Sequence, residues 1–451
     1  MKNLVVIGAG PAGAAAALEA SQHGLNVTLI SAEKIGGRAT WHSLLPSKIY
    51  LKLADFYGDI RQYAAEGLFG ETVIPDLDQI KKVIKQQSSA WSQTLQSELE
   101  AAGVHTMIGK AAFRDESSIT IAAQLEAEEV VLFDRAIIAT GSIPVFLPRI
   151  KPDGQHILAP RFAGSLPKWP EHVIVIGGGV TGSEFTYLFS RMGAEVTWIT
   201  DLDHVLPRVD KDITLRLEEI IKDMGVNIIK NMAVTGVISD MGGVVVTLAG
   251  GQAISASHAF IAIGRKPDLE QLDLDKAGVL YNAQGIQVDR FCQTNLAGIY
   301  AVGDAAGGPF IANRGMAQAR IAACSAAGVD VLPFDPHTIV EAIYTDPQIA
   351  QVGLTEYQAN ADSIPYAVYK AEYRNILKNY LPGSQPGYLK LLCHPDNGKI
   401  LGAAAIGEQA ADLMSFTAVA MKGNLTREDL AGVFPATPTY SEAVPSAFRG
   451  Y

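Results

Sequence analysis

Short wholly apolar runs recur along the chain, and each is closed by glycine rather than by a polar loop. Leu4-Val5-Val6-Ile7 comes first and reads as a buried strand, being too short and too uniformly apolar for an amphipathic helix. Gly8-Ala9-Gly10-Pro11-Ala12-Gly13 follows and opens an alanine-rich helix expected to reach about residue 22, with a second strand near 25–30. The same order returns with Val173-Ile174-Val175-Ile176, then Gly177-Gly178-Gly179-Val180-Thr181-Gly182, a helix to about residue 192 and a strand over 195–200. Each unit ends in a similar apolar return strand and turn, 136–141 in the first and 259–264 in the second, which makes the pair an internal duplication. A further apolar strand is expected within 294–304, ending in Gly303-Asp304. Nearer the C-terminus, 387–392 and 400–407 read as strands and 410–422 as a helix.

A glycine turn of this spacing is weak evidence alone and much stronger between a strand and a helix. Gly8 and Gly177 permit the tight turn, Gly10 and Gly179 let backbone approach a pyrophosphate, and Gly13 and Gly182 let helix pack on strand. The helix N-terminus then faces the negative charge. Two dinucleotides are therefore expected. In each unit the residue 23 positions beyond the first glycine should be acidic to hold a ribose. Ser31 and Thr200 occupy the expected positions, with Glu33 and Asp201 nearby either as substitutes or as ordinary loop charges.

At 451 residues, and roughly 150 per domain, about three domains are expected. With 48% apolar and 18% charged residues, neither disorder nor a coiled coil dominates. A formal charge of −11 argues against nucleic acid as a partner. No apolar run approaches the roughly 20 residues of a membrane span, so a cytoplasmic protein is expected. Met1-Lys2 before an apolar, alanine-rich stretch superficially resembles a secretory signal, but the strand-and-glycine pattern makes it a nucleotide-binding turn used in place. Cys292, Cys324 and Cys393 lie far apart without CxxC or Cys/His ligand spacing, so neither a disulfide framework nor a metal site is indicated.

With both glycine units, Gly303-Asp304 and the late segment running from Tyr344-Thr345-Asp346-Pro347 to Leu354-Thr355-Glu356, the chain resembles the pyridine nucleotide-disulfide oxidoreductases, dihydrolipoamide dehydrogenase above all. Gln348 stands where glutamate is usual. The resemblance implies an α/β fold with two Rossmann-like dinucleotide-binding domains and a C-terminal α+β interface domain. The FAD domain would be split over 1–150 and 271–335, the NAD(P) domain would span 151–270, and 336–451 would form a homodimer interface.

It also implies a flavin set of Gly8, Gly10, Gly13, Ser31, Glu33, Gly37, Arg38, Lys48, Gly109, Thr140, Gly141, Asp304 and Ala312. Gly177, Gly179, Gly182, Glu184, Thr200 and Gly264 would form the nicotinamide-dinucleotide set. Lys48 matches the lysine near flavin N5, whose charge stabilises the reduced, anionic flavin, and Glu184 matches its ion-pair partner beside the nicotinamide. These two are the catalytic candidates. No arginine cluster near Thr200 announces a 2′-phosphate, which favours NADH over NADPH.

The family's cysteine pair and histidine are not there. Gly36-Gly37-Arg38-Ala39-Thr40-Trp41-His42-Ser43-Leu44-Leu45-Pro46-Ser47-Lys48 carries Ala39 and Leu44 at the cysteine positions, and neither can form a thiolate. Thr437, in Thr437-Pro438-Thr439-Tyr440-Ser441-Glu442, replaces the histidine and does not titrate near neutrality. Asn313 is a smaller departure, standing where histidine is common. Trp41 stacks on an acceptor or fills vacated space, and His42 donates a proton or caps a helix. The expected function is an FAD-dependent NAD(P)H oxidoreductase that passes electrons to a small-molecule or protein acceptor without a redox disulfide. The alternative is a non-catalytic FAD- or nucleotide-binding scaffold or sensor.

Overall fold

The computed structural model describes residues 2–70, 75–122, 128–148, 150–161, 166, 168–240 and 242–449. Its chain forms two compact units.

The first unit comprises 1–46, 81–145 and 264–335. Its centre is a parallel five-stranded sheet in the order Ile299–Ala301, Arg135–Ile138, Asn3–Ile7, Asn26–Ser31, His105–Ile108. Successive side chains point to opposite faces, so both faces must be apolar. Leu4 and Val6 pack with the alanines of the helices Pro11–Gln22 and Ala312–Ala327. Val5 and Ile7 pack on the other side with Phe113, Ile119 and Ile121 from the antiparallel sheet Lys110–Phe113, Ser118–Ala122, Glu129–Leu132. Small side chains such as Ala16, Ala17, Ala319 and Ala322, all fully buried, leave the two helices room to pack close.

The second unit comprises 47–80, 146–263 and 336–451. A second parallel sheet runs in the order Asn227–Ile229, Glu195–Ile199, His172–Ile176, His258–Ile261, Ile157–Leu158. Beside it lies an antiparallel sheet of Val234–Asp240, Gly243–Leu248 and Ala253–Ala256. The C-terminal part is an antiparallel five-stranded sheet in the order Glu341–Ile343, Ile349–Gly353, Ile400–Ile406, Tyr388–Cys393, Ala367–Glu372, covered by the helices Ala410–Lys422 and Ala443–Arg449. The fold class is α/β, with two Rossmann-like sheets and an α+β C-terminal region.

The return strands end at Ile138 and Ile261, and 139–141 and 262–264 lie beyond them, where the closing turns are expected. Within 294–304 only Ile299–Ala301 is strand. The Thr294 hydroxyl donates to the Ile299 carbonyl and Gly298 has φ +87°, which closes the earlier residues into a turn.

Candidate functional site

In the first unit, Gly8 has φ +109°, and a Cβ there would lie 2.3 Å from the Ala139 carbonyl oxygen. A Cβ on Gly13 would lie 1.7 Å from the Gly8 oxygen, so strand and helix meet backbone to backbone. By contrast, a Gly10 Cβ would face open space. The turn is thus closed on its protein side and open at the helix N-terminus, whose first amides lack partners within the helix. Next to Gly8 lies Thr140, whose buried hydroxyl has no hydrogen-bond partner among the described residues. An open glycine turn at a helix N-terminus and an unsatisfied buried hydroxyl fit the pyrophosphate and polar chain of FAD.

Gly141 follows with φ +77°, and Ser142 begins the strand Ser142–Pro144 paired with Arg265–Pro267. The Ser142 hydroxyl donates to the Asp304 carboxylate and accepts from Arg265 Nε at 2.8 Å, while Arg265 Nη2 donates to the Ser142 carbonyl at 2.7 Å. Burial pushes the Asp304 carboxyl upward, opposed by Ser142 and by Arg265 and Arg314. Gly264 hydrogen-bonds through its carbonyl to Val145 N at 3.0 Å. Ala312 is the first residue of its helix.

Other expected flavin residues have protein partners. Gly109 N donates to the Ser31 carbonyl at 2.8 Å, and Ser31 is buried. Arg38 Nη2 donates to Asp268 Oδ2 at 2.7 Å and its Nε lies 3.9 Å from Glu33. Glu33 also faces His42 Nε2 at 3.5 Å. Gly37 starts the short helix Gly37–Trp41, close against Gly10.

Ser92 Oγ and Trp41 Nε1 both donate to the Ile35 carbonyl, at 2.7 and 3.0 Å, and Ser88 Oγ donates to the Thr40 carbonyl at 2.8 Å. The cysteine-free segment is therefore held by ordinary polar contacts. Lys34 Nζ sits 4.6 Å from the Trp41 ring centroid, and His42 caps the helix through its amide to the Arg38 carbonyl.

In the second unit, Gly177 repeats Gly8, with φ +118° and a would-be Cβ 2.2 Å from the Ala262 oxygen. A Cβ on Gly182 would lie 2.0 Å from the Gly177 oxygen, and Gly179 faces open space. Thr200 is buried beneath Gly178 and accepts from Leu202 N at 3.2 Å.

Glu184 lies in the first turns of the helix Val180–Arg191, only 5% exposed. Lys48 Nζ donates to both its oxygens, at 2.7 and 2.8 Å. Tyr344 N adds a third bond to Glu184 Oε1 at 3.1 Å, and the Tyr344 ring lies beneath Lys48 Nζ at 4.6 Å. A carboxylate bound by an ammonium and an amide holds both charges in fixed positions. At Thr437 the hydroxyl donates to Glu442 Oε2 at 2.9 Å, while Glu442 Oε1 accepts from Thr439 N at 2.8 Å. The threonine thus takes up a glutamate oxygen without supplying a titratable base.

Residues 2–326 match the pyridine nucleotide-disulphide oxidoreductase family, and 339–448 match that family's dimerisation domain. The chain belongs to this family. Family members are FAD- and NAD(H)-dependent oxidoreductases. Among curated proteins, "Dihydrolipoyl dehydrogenase 2" of Haloarcula marismortui is 32% identical, covering 98% of this chain and 95% of that one. "NAD(P)H dehydrogenase (quinone)" of Mycobacterium tuberculosis is 31% identical over 99% and 93%. The solved structure of LpdA from Mycobacterium tuberculosis superposes with a TM-score of 0.94 at 30% identity, covering 100% of this chain and 99% of that one. No described helix is long and apolar enough to cross a membrane.

Ser142, Arg265 and Tyr344 were not singled out as functional by sequence. Ser142 directly follows the Thr140-Gly141 turn, and Arg265 directly follows Gly264, so position in the motif was the available signal.

Proposed function

We propose that this chain is an FAD-dependent NAD(P)H oxidoreductase that passes electrons from the flavin directly to a non-thiol acceptor, with a quinone as the favoured class. The carrying observation is the Lys48–Glu184 pair, retained in full beside a segment without cysteines. FAD, when bound, supplies a two-electron centre that takes hydride from the nicotinamide. Gly8, Gly10, Gly13 and Thr140 would hold it, with Asp304 toward its polyol chain, and Gly177, Gly179 and Gly182 would hold the nicotinamide dinucleotide. Glu184 fixes Lys48, and a fixed ammonium lowers the cost of negative charge developing beside it.

Ala39 and Leu44 supply no thiolate, and Thr437 supplies no proton acceptor near neutrality. An acceptor that needs neither therefore suits the chain. A quinone meets that condition, and the similarity to the mycobacterial NAD(P)H dehydrogenase (quinone) supports it. The domain division proposed is 1–150 with 271–335 for FAD, 151–270 for the nicotinamide dinucleotide and 336–451 for a homodimer interface, in a cytoplasmic protein.

Steady-state assays with a short-chain benzoquinone and with dihydrolipoamide test this reading. Quinone reduction by NADH or NADPH should exceed dihydrolipoamide oxidation by about a hundredfold or more, the scale of a missing general base. Comparable turnover of dihydrolipoamide would overturn it.

A further inference from the structure

Glu19 and His23 sit one turn apart, at the end of the helix Pro11–Gln22 and its cap, and so share one face. Cys324, buried in the helix Ala312–Ala327, faces them. Cys324 Sγ lies 3.5 Å from Glu19 Oε1 and 3.5 Å from His23 Nε2, and His23 Nε2 lies 3.4 Å from Glu19 Oε1. Arg320 Nε also approaches Glu19 Oε1, at 3.4 Å. Among the described residues, Glu19, His23 and Cys324 are in mutual contact, and Arg320 joins them through Glu19.

We propose that Glu19, His23 and Cys324 form a Zn2+ site that staples the two helices together. Zinc bonds of about 2.3 Å to sulfur and about 2.0–2.2 Å to nitrogen or oxygen, at tetrahedral angles, require ligand atoms about 3.3–3.6 Å apart. The observed triangle, with edges of 3.4, 3.5 and 3.5 Å, has the size of one face of that tetrahedron. Thiolate, imidazole and one carboxylate form a donor set that selects zinc over magnesium or calcium.

His23 is exposed and gives the ion its way in from solvent, where water completes the fourth position. Without metal, the Cys324 thiol donates to Glu19. On binding, that proton leaves to solvent, and the two anionic ligands balance the dication. Ligand spacing along the sequence cannot reveal such a site, because Cys324 is separated from Glu19 by 305 positions.

Full-length FAD-loaded protein, stripped with a chelator, should take up one Zn2+ per chain in competition with a chromophoric chelator. Zinc X-ray absorption should give one sulfur at about 2.3 Å with nitrogen or oxygen neighbours at about 2.0–2.2 Å. Cys324→Ser and His23→Gln should each weaken binding at least about a hundredfold and abolish the zinc-dependent rise in thermal midpoint, with flavin content unchanged. The affinity should fall as pH is lowered. His23→Gln is a surface change and keeps the test valid if Cys324→Ser folds poorly. Absence of stoichiometric binding at micromolar zinc, coordination without sulfur, or binding unaffected by His23→Gln would overturn the proposal.

Discussion

Glu184 holds Lys48 with both oxygens and is itself tied to the Tyr344 amide, so the position of each depends on the other. Glu184→Gln preserves shape but removes the charge that fixes the ammonium. Stopped-flow mixing with NADH should show the variant's flavin bleaching about 10–1,000 times more slowly, with FAD content intact; an unchanged rate would remove the pair from the mechanism. At the cysteine positions, Ala39→Cys with Leu44→Cys should not restore efficient dihydrolipoamide oxidation, because Thr437 only donates to Glu442. Substantial turnover by that double variant would contradict the role assigned to position 437. The pairing of Lys48 with Glu184 was legible from motif context alone. The Tyr344 contact was not, since its amide approaches from 160 residues away. Arg38 and Glu33 show the same limit: motif position suggested a flavin role, whereas which polar group each one meets depends on folding, here the Asp268 carboxylate and the His42 ring among others.

At the scale of the element, the two strand-turn-helix units were the most readable part of the chain. Four-residue apolar runs closed by glycine carry both the strand and its turn, and the helices end at Gln22 and Arg191, close to the expected ends. Less legible was the run over 294–304, where apolar residues suggested one long strand but Gly298 supplies a turn that hydrophobicity does not encode. In the proposed function the two turns hold different cofactors. Gly177→Ala places a Cβ against the Ala262 carbonyl at a φ of +118°, a strain that should distort the second turn. Measured by NADH titration, the variant should need at least about ten times more nucleotide for half-saturation, a loss of about 1.4 kcal/mol, while retaining its flavin. Loss of FAD with unaltered nucleotide affinity would reverse the assignment of the two turns.

On the scale of the whole chain, composition placed the protein among globular proteins and the family resemblance implied the α/β class, but the buried charges come only from the fold. Lys390, 1% exposed, meets Asp210 at 2.9 Å, Asp212 at 2.8 Å and Glu356 at 2.7 Å. In sequence it is one polar letter within an apolar strand, and nothing nearby announces its partners. Lys390→Met leaves Asp210 buried and uncompensated, and urea unfolding should register a loss of about 3–5 kcal/mol. Asp346 gives a pH signature. Burial, opposed by Arg191 and reinforced by Asp55, Asp59 and Glu408, raises its carboxyl from 3.8 to about 6. The folded state therefore holds this proton more tightly, so its stabilising contribution is present below about pH 4 and is lost as pH rises through about 6. Asp346→Asn should lose less stability than the parent over that interval, and equal slopes would contradict the raised carboxyl.

The proposed hydride transfer into a flavin with no disulfide behind it is tested most directly by an anaerobic titration. Purified protein should be yellow, should bleach rapidly with one equivalent of NADH or NADPH per FAD, and should regain its colour on addition of quinone. Protein that binds FAD but is bleached by neither nucleotide would contradict the account and leave a cofactor-binding scaffold in its place.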